Sequence, residues 1–309
     1  MRELLKAQSV PVREGFRSTS GGLRDSFPLR LYDKAKRLGV WDPSDIDFRR
    51  DREQWLELGD DERGALTQIA SLFLAGEEGV TLDLLPLVLT IAREGRLEEE
   101  LFLTTFLFEE GKHTQLFARF LDEVAGAPTD LERWHTPSYR TIFYDELPRS
   151  MNALLEDHSA TAQARAAVTY NMVVEGVLAE TGYQVYHDAL VERDLLPALR
   201  EGLGYVKRDE ARHIAYGVYL LSRLVAADPA LWDVVAARME ELLPLGLGFV
   251  QETYKPWGDV SPFGVERDTV LAWATTQFQK RFERIERARG KTLAEIDALA
   301  EEDSIASVA

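Results

Sequence analysis

Glu110-Gly-Lys-His113 and Glu210-Ala-Arg-His213 decide how this chain is read. Residues three apart on a helix share a face, so each tetrapeptide aims one carboxylate oxygen and one imidazole nitrogen at the same point. Each follows a helical stretch that carries a glutamate in an apolar setting. Those glutamates are Glu77, in Phe73-Leu74-Ala75-Gly76-Glu77, and Glu175, in Met172-Val173-Val174-Glu175. Glu77 precedes Glu110 by 33 residues and Glu175 precedes Glu210 by 35. Either interval fits a helix, a turn and part of an antiparallel helix. The order Glu, Glu-x-x-His, Glu, Glu-x-x-His supplies four carboxylates and two imidazoles, the donor set of a two-metal site. One Glu-x-x-His alone would say little; the joint order says much more.

Four glutamates on apolar stripes would bury unpaired charge at several kcal/mol each. Two divalent cations neutralise them. The expected fold is therefore all-α: a ferritin-like four-helix bundle, in which two helices give one Glu and two give Glu-x-x-His, with additional flanking helices. Facing helps to separate neighbouring acids. Glu110 shares its stripe with Leu103, Phe106, Leu107, His113 and Phe117, whereas Glu109 falls beside Thr105 and Lys112, a pairing expected on a wet face. Glu77 aligns with Ala70, Phe73, Leu74, Val80 and Leu84, although Glu78 has Leu74, Leu82 and Leu85 nearby and stays open as an alternative. His135, His158 and His187 have no partner at ligand spacing and read as surface or hydrogen-bonding residues.

The wider composition agrees. With 309 residues and 45% apolar content the chain can bury a large core, and nothing requires more than one domain over residues 1–309. A net charge of −17 without any basic block argues against nucleic acid as a partner. No cysteine occurs, so oxygen and nitrogen donors are left for a metal, and these suit iron and manganese. Met1-Arg2-Glu3-Leu4-Leu5-Lys6 lacks the apolar core of a signal peptide, and no run reaches the ~18 apolar residues of a transmembrane segment. A cytoplasmic location is the default expectation. Along the chain we expect an irregular segment to about residue 30, a short helix over 31–38, and a turn at Trp41-Asp42-Pro43. Long helices follow over about 60–94, 97–124, 159–194 and 196–227, then flanking helices over 229–254 and 265–289 and a mobile tail from about 290 to 309.

These residues resemble the small subunit of class I ribonucleotide reductase, and more closely its relatives, the ligand-binding oxidases with a manganese/iron cofactor. The matching stretch runs from about Trp41 to His213 and includes Trp41-Asp42-Pro43, Glu77, Glu110-x-x-His113, Glu175 and Asp209-Glu210-x-x-His213. The resemblance implies that Glu77, Glu110, His113, Glu175, Glu210 and His213 hold one manganese and one iron ion. It also implies that Asp209 accepts from His113 and connects to Trp41, fixing the ring orientation. Reductase subunits of the ordinary kind carry a radical tyrosine four residues after the first histidine ligand; here that position is Phe117. Two family readings remain, a manganese/iron reductase subunit and the oxidase.

Val80, three after Glu77, and Tyr170, five before Glu175, favour the oxidase, in which a valine and a tyrosine at these spacings become joined by an ether bond. Geometry alone does not predict their contact, since Tyr170 lies about 140° around an ideal helix from Glu175. The resemblance further implies O2-dependent two-electron oxidation, a long-chain fatty acid ligand and a homodimer. Apolar material for a ligand tunnel is offered by Leu82 to Ile91 and by Leu242 to Val250, the latter with Gly246 and Gly248. A cage-forming storage protein is disfavoured by chain length, and a non-catalytic lipid carrier with a structural metal pair would consume no oxygen.

Overall fold

The computed structural model describes residues 15–306, with side chains through Glu301. Helix α1, Phe27–Leu38, leads into the Trp41 turn, where the Asp42 carboxylate accepts from the Ser44 N–H at 2.8 Å. Helix α2 is Arg49–Glu57 and α3 is Asp60–Asp83. The first turn of α3 carries Asp60, Asp61 and Glu62, whose charge suits the positive end of a helix, and Glu62 accepts from the Gly59 N–H at 2.8 Å. Helix α4, Leu97–Glu123, likewise opens on Glu98, Glu99 and Glu100. It stops before Gly126, whose φ of +76° is left-handed and favours glycine, and Pro128.

Helix α5 is composite: Ala160–Ala167 is α-helical, Val168–Ala179 is π-helical and Glu180–Glu192 is α-helical again. Ser159 Oγ caps its start by accepting from the Ala162 N–H at 3.2 Å. Helices α6, Pro197–Ala227, α7, Leu231–Thr253, α8, Arg267–Glu286, and α9, Leu293–Ala306, follow. Helix α3 packs on α4, and α6 packs on both α4 and α5, making the four-helix core. Helices α7 and α8 flank α5, while α9 covers α6. On α4, Phe102 and Phe106 belong to one apolar cluster and Leu116, Phe117 and Phe120 to a second, with Glu110 and His113 between them. The polar pair is thus clamped from both sides by packed aromatic rings.

The start of α6 is held from outside the helix. Leu196, immediately before it, adopts φ +46°, a left-handed conformation that costs a non-glycine residue about 1–2 kcal/mol. Its N–H donates to Gln54 Oε1 at 2.7 Å. One turn on, Ala198 N–H and Leu199 N–H donate to the two oxygens of the buried Asp51 carboxylate at 3.0 and 2.8 Å. Asp51 belongs to α2, so a residue distant in sequence caps the helix that carries Glu210 and His213. Asp51→Ala is expected to lower unfolding free energy by about 1–3 kcal/mol, because two buried N–H groups lose their acceptor; urea melts of the two proteins check this, and an unchanged midpoint would contradict it.

Several sequence expectations need correction. The helix expected over 60–94 breaks at Leu84, because Pro86 has no N–H to continue the ladder, and resumes as Leu85–Arg93. Within the N-terminal segment expected to be irregular, residues 1–14 lie outside the described residues, Arg17–Gly21 forms one short turn, and α1 begins at Phe27. Of the tail expected to be mobile over about 290–309, Leu293–Ala306 is helical and residues 307–309 lie outside the described residues. Ile296 sits 2% exposed in a core cluster, so apolar contact with α6 holds what the acidic composition concealed.

Candidate metal centre

Six side chains from four helices converge where the two apolar clusters of α4 meet. Glu77 comes from α3, Glu110 and His113 from α4, Glu175 from the π-helical part of α5, and Glu210 and His213 from α6; all are 5% exposed or less. Two overlapping groups each bring donor atoms within 4.8 Å of one another: Glu77, Glu110, His113 and Glu210, and Glu110, Glu175, Glu210 and His213. Glu110 and Glu210 belong to both. Glu78, the open alternative to Glu77, is exposed and points away.

Each ring turns its Nδ1 inward. His213 Nδ1 lies 2.8 Å from Glu110 Oε1, and His113 Nδ1 lies 3.3 Å from Glu210 Oε1 and 3.4 Å from Glu77 Oε2. Among the described residues, both oxygens of Glu110, one oxygen each of Glu175 and Glu210, both ring nitrogens of His113 and Nδ1 of His213 are buried without a hydrogen-bond partner. Such orphaned donors are costly unless a cation collects them. The charge balance points the same way. Glu77, Glu110, Glu175, Glu210, Asp209 and Glu109 are buried acids, whereas Lys112 and Arg212 are the buried cationic side chains among them. The four remaining negative charges are what two divalent ions neutralise, so the residues present fit a dinuclear centre.

Titration reflects this crowding. Burial, reinforced by the Glu110 charge, pushes Glu77 up to about 8. Burial also drives Glu175 well above the carboxylate range, helped by Glu210 and Glu110. For Glu110 burial acts upward too, but the His213 and His113 imidazoles outweigh it and hold the group low. Against burial, Asp209 and the inner carboxylates raise His113, and Glu110 and Glu210 raise His213. In the metal-free cluster, protons supply the positive charge that ions would otherwise bring.

Trp41 and Asp209 meet beside the His113 ring. Trp41 Nε1 donates to Asp209 Oδ2 at 2.7 Å, and His113 Nε2 lies 3.5 Å from the same oxygen. Lys112 Nζ donates to it as well, at 3.1 Å, and to Gly39 O at 2.8 Å. The wet-face reading of Glu109 and Lys112 is wrong. Glu109 is 1% exposed, with Oε2 2.9 Å from His213 Nε2 and Oε1 accepting from Arg212 at 2.6 Å; Lys112 is 5% exposed. Both face α6 and the Trp41 turn, which cover what an isolated helix would show to water. Tyr183 was also missed: its hydroxyl donates to Glu77, and its ring stacks on Phe73 with centroids 4.2 Å apart. A weak signal existed, since Tyr183 lies eight residues, about two turns, after Glu175. His135 bonds Tyr144 at 2.8 Å, as its hydrogen-bonding reading implies.

Phe117 is fully buried and stacked on Phe73, with no hydroxyl to oxidise. Tyr170 is fully buried on the side of Glu175. Its titration is driven well upward, first by burial and then by the charge of Glu175. That proximity corrects the ideal-helix estimate. In the π-helical stretch Val168–Ala179 the i→i+5 pattern stacks residues five apart, so Tyr170 and Glu175 share a face. Val80 is 4% exposed and packs in the same core cluster as Tyr170.

An apolar cavity of about 150 Å³ opens onto the cluster at Glu77, Glu110, Glu175 and Glu210. Val80, Phe73, Val174, Leu178, Phe249, Trp257 and Phe263 are among its apolar lining. The expected lining needs correction: no residue of 82–91 reaches it, and of the second stretch only Phe249 and Val250 do. Leu85 and Leu89 turn outward instead.

Residues 25–285 match the family model of the ribonucleotide reductase small chain. The fold is similar to solved structures of an R2-like ligand-binding oxidase. A valine-to-leucine variant with an anaerobically reconstituted Mn/Fe cofactor is 36% identical, matches 88% of this chain and 98% of its own, and superposes with a TM-score of 0.84. A tyrosine-to-phenylalanine variant with an aerobically reconstituted Mn/Fe cofactor is 37% identical over 88% and 98%, with a TM-score of 0.83. A glycine-to-leucine variant with a non-activated Mn/Mn cofactor is 36% identical over 89% and 98%, with a TM-score of 0.85.

Proposed function

Because the chain belongs to the ribonucleotide reductase small-chain family, we propose that it is an O2-using oxidase of the ligand-binding kind, with one manganese and one iron ion held by Glu77, Glu110, His113, Glu175, Glu210 and His213. The observation that carries this reading is an apolar cavity ending on the carboxylates of a dinuclear donor set. A reductase small subunit needs no such cavity. A bound Mn/Fe pair would supply two-electron oxidation with O2 as acceptor.

The chain's own residues contribute the rest. Four buried carboxylates and two inward Nδ1 atoms fix the ions, and the apolar wall keeps water from the site. Val80 and Tyr170 are the internal substrate. Loss of hydrogen from Val80 Cβ and from the Tyr170 hydroxyl, with formation of a Cβ–O ether bond, removes two electrons and two protons from the protein. The burial of Tyr170 on the same face as Glu175 supports this role.

The cavity's other proposed occupant is a long-chain fatty acid, its carboxylate toward the metals and its chain along Val174, Leu178 and Phe249. Denaturing extraction of well-folded, metal-loaded protein followed by mass spectrometry is expected to yield such an acid at about one per chain. Lipid no higher than in a control protein would withdraw the ligand and leave the manganese/iron reductase subunit as the better reading. Oxygen uptake on metal loading separates both from a non-catalytic lipid carrier. For assembly we propose a homodimer: Leu82, at the end of α3, and Leu85 and Leu89, on the short helix that follows it, are exposed and offer an apolar face for a second copy, which gel filtration checks. Among the described residues no helix is long and apolar enough to cross a membrane.

A further inference from the structure

We infer that Glu109 and Arg212 form a bracket that positions both imidazoles of the centre at once, joining its two halves through one guanidinium nitrogen. The inference rests on the dinuclear reading above for its consequence, but for its content on the hydrogen bonds of Glu109 and Arg212 and on the close approach of Asp209 to His113.

Each ring presents Nδ1 to the inner carboxylates and Nε2 to an outer one. Glu109 Oε2 faces His213 Nε2 at 2.9 Å, and Asp209 Oδ2 faces His113 Nε2 at 3.5 Å. The remaining oxygens of these two carboxylates converge on the same atom. Arg212 Nη2 donates to Glu109 Oε1 at 2.6 Å and to Asp209 Oδ1 at 2.5 Å, while its Nη1 donates to Arg208 O at 2.9 Å and anchors it to its own helix. Glu109, Asp209 and Arg212 are all buried, so these bonds are shielded from competing water.

The bracket is closed from outside by the turn before Trp41. A Cβ on Gly39 would run into Glu109 Oε1 and crowd Ala35 O, so a larger residue there would push the carboxylate out of place. A carboxylate accepting Nε2–H fixes the tautomer that leaves Nδ1 free for a metal and fixes the ring plane. Asp209 already has Trp41 and Lys112 as further donors; among the described residues, Glu109 has Arg212 and His213 as its donors. The two supports are therefore unequal, and Arg212 is what links them.

The test compares Glu109→Leu, Glu109→Gln, Arg212→Leu and Arg212→Lys with the wild type, each verified as folded by circular dichroism. Ion retention at each position is read by anomalous diffraction at the Mn and Fe edges, with dissociation constants from chelator competition. Glu109→Leu should weaken binding about 10–100-fold at the position held by Glu175 and His213, leaving the Glu77 and His113 position near wild type. Glu109→Gln keeps an acceptor for the ring N–H and should restore most of that loss. Arg212→Leu should weaken both positions, and Arg212→Lys, which has no fork, should rescue only in part. Equal retention in Glu109→Leu and wild type, equal loss at both positions in Glu109→Leu, or a loss at one position in Arg212→Leu, would overturn the bracket.

A metal-independent readout keeps the two ideas apart. In ¹⁵N-labelled, metal-free protein the His213 Nε2–H signal should be protected from solvent exchange, and should lose that protection in Glu109→Leu while the His113 signal keeps it. Wild-type protein that bound no ions would sink the dinuclear reading, while these signals would still decide the bracket. An unchanged His213 signal in Glu109→Leu would sink the bracket alone.

Discussion

Metal-free protein loaded in air with Mn(II) and Fe(II) is expected to hold two ions per chain, one of each, and Glu110→Ala to lose at least one of them. Glu110 belongs to both donor groups, so its removal strips a ligand from both positions at once. His213→Ala should lose the ion shared with Glu175 and spare more of the other. Elemental analysis after desalting reads the stoichiometry, and full occupancy in both variants would mean that the wrong donors have been chosen. Loading should also stabilise the fold, because the ions bind an assembled cluster and not the open chain. At free ion about 1,000-fold above the dissociation constant, the linkage is worth about 4 kcal/mol per site. Carboxylate and imidazole donors suit either metal, so identity of the pair is a separate measurement from its presence.

Oxygen exposure of the Mn/Fe-loaded protein should convert two peptides into one. After digestion, the peptide containing Val80 and the peptide containing Tyr170 should run as a single species lighter than their sum by two hydrogens. Anaerobically assembled protein should lack it, and so should Tyr170→Phe, which has no phenolic oxygen to form the ether. Metal content in Tyr170→Phe should remain at the wild-type value, since Tyr170 is not among the six donors. The expected effect is all or none, and separate, unmodified peptides after aerobic assembly would defeat the proposal.

The four-helix core and the six converging donors could be read from the sequence because ligand spacing and apolar spacing share the helical period. Glu110 and His113 lie three apart on a stripe that also carries Phe106 and Phe117, so one pattern announces both the core and the site. Glu109 and Lys112 are not legible from one helix alone. The opposite side of α4 is buried by Trp41, Gly39 and Arg212, which come from segments far off in sequence. Tyr170 escaped differently. Its 140° offset holds for 3.6 residues per turn, and nothing in Val168-Thr169-Tyr170-Asn171-Met172 announces that the backbone there is π-helical. The cavity walls differ from the expected stretches for a third reason. Leu82 to Ile91 is apolar enough to line a tunnel, but Pro86 resets the helix and sends Leu85 and Leu89 to the surface.

The cap that Asp51 places on α6 also sets an order of events in folding. Its bonds to Ala198 and Leu199 span 147 and 148 residues, so the first turn of α6 can be finished only after a large loop has closed. Long-range closure of this kind is slow compared with helix formation, which is local. The middle of α6, with Glu210 and His213, can therefore become helical early while its beginning stays frayed until α2 docks. A chain arrested before docking would offer metal an incomplete set of donors held in a loose helix, and ion capture becomes a late step coupled to closure of the Trp41 turn and of α2 over the bundle.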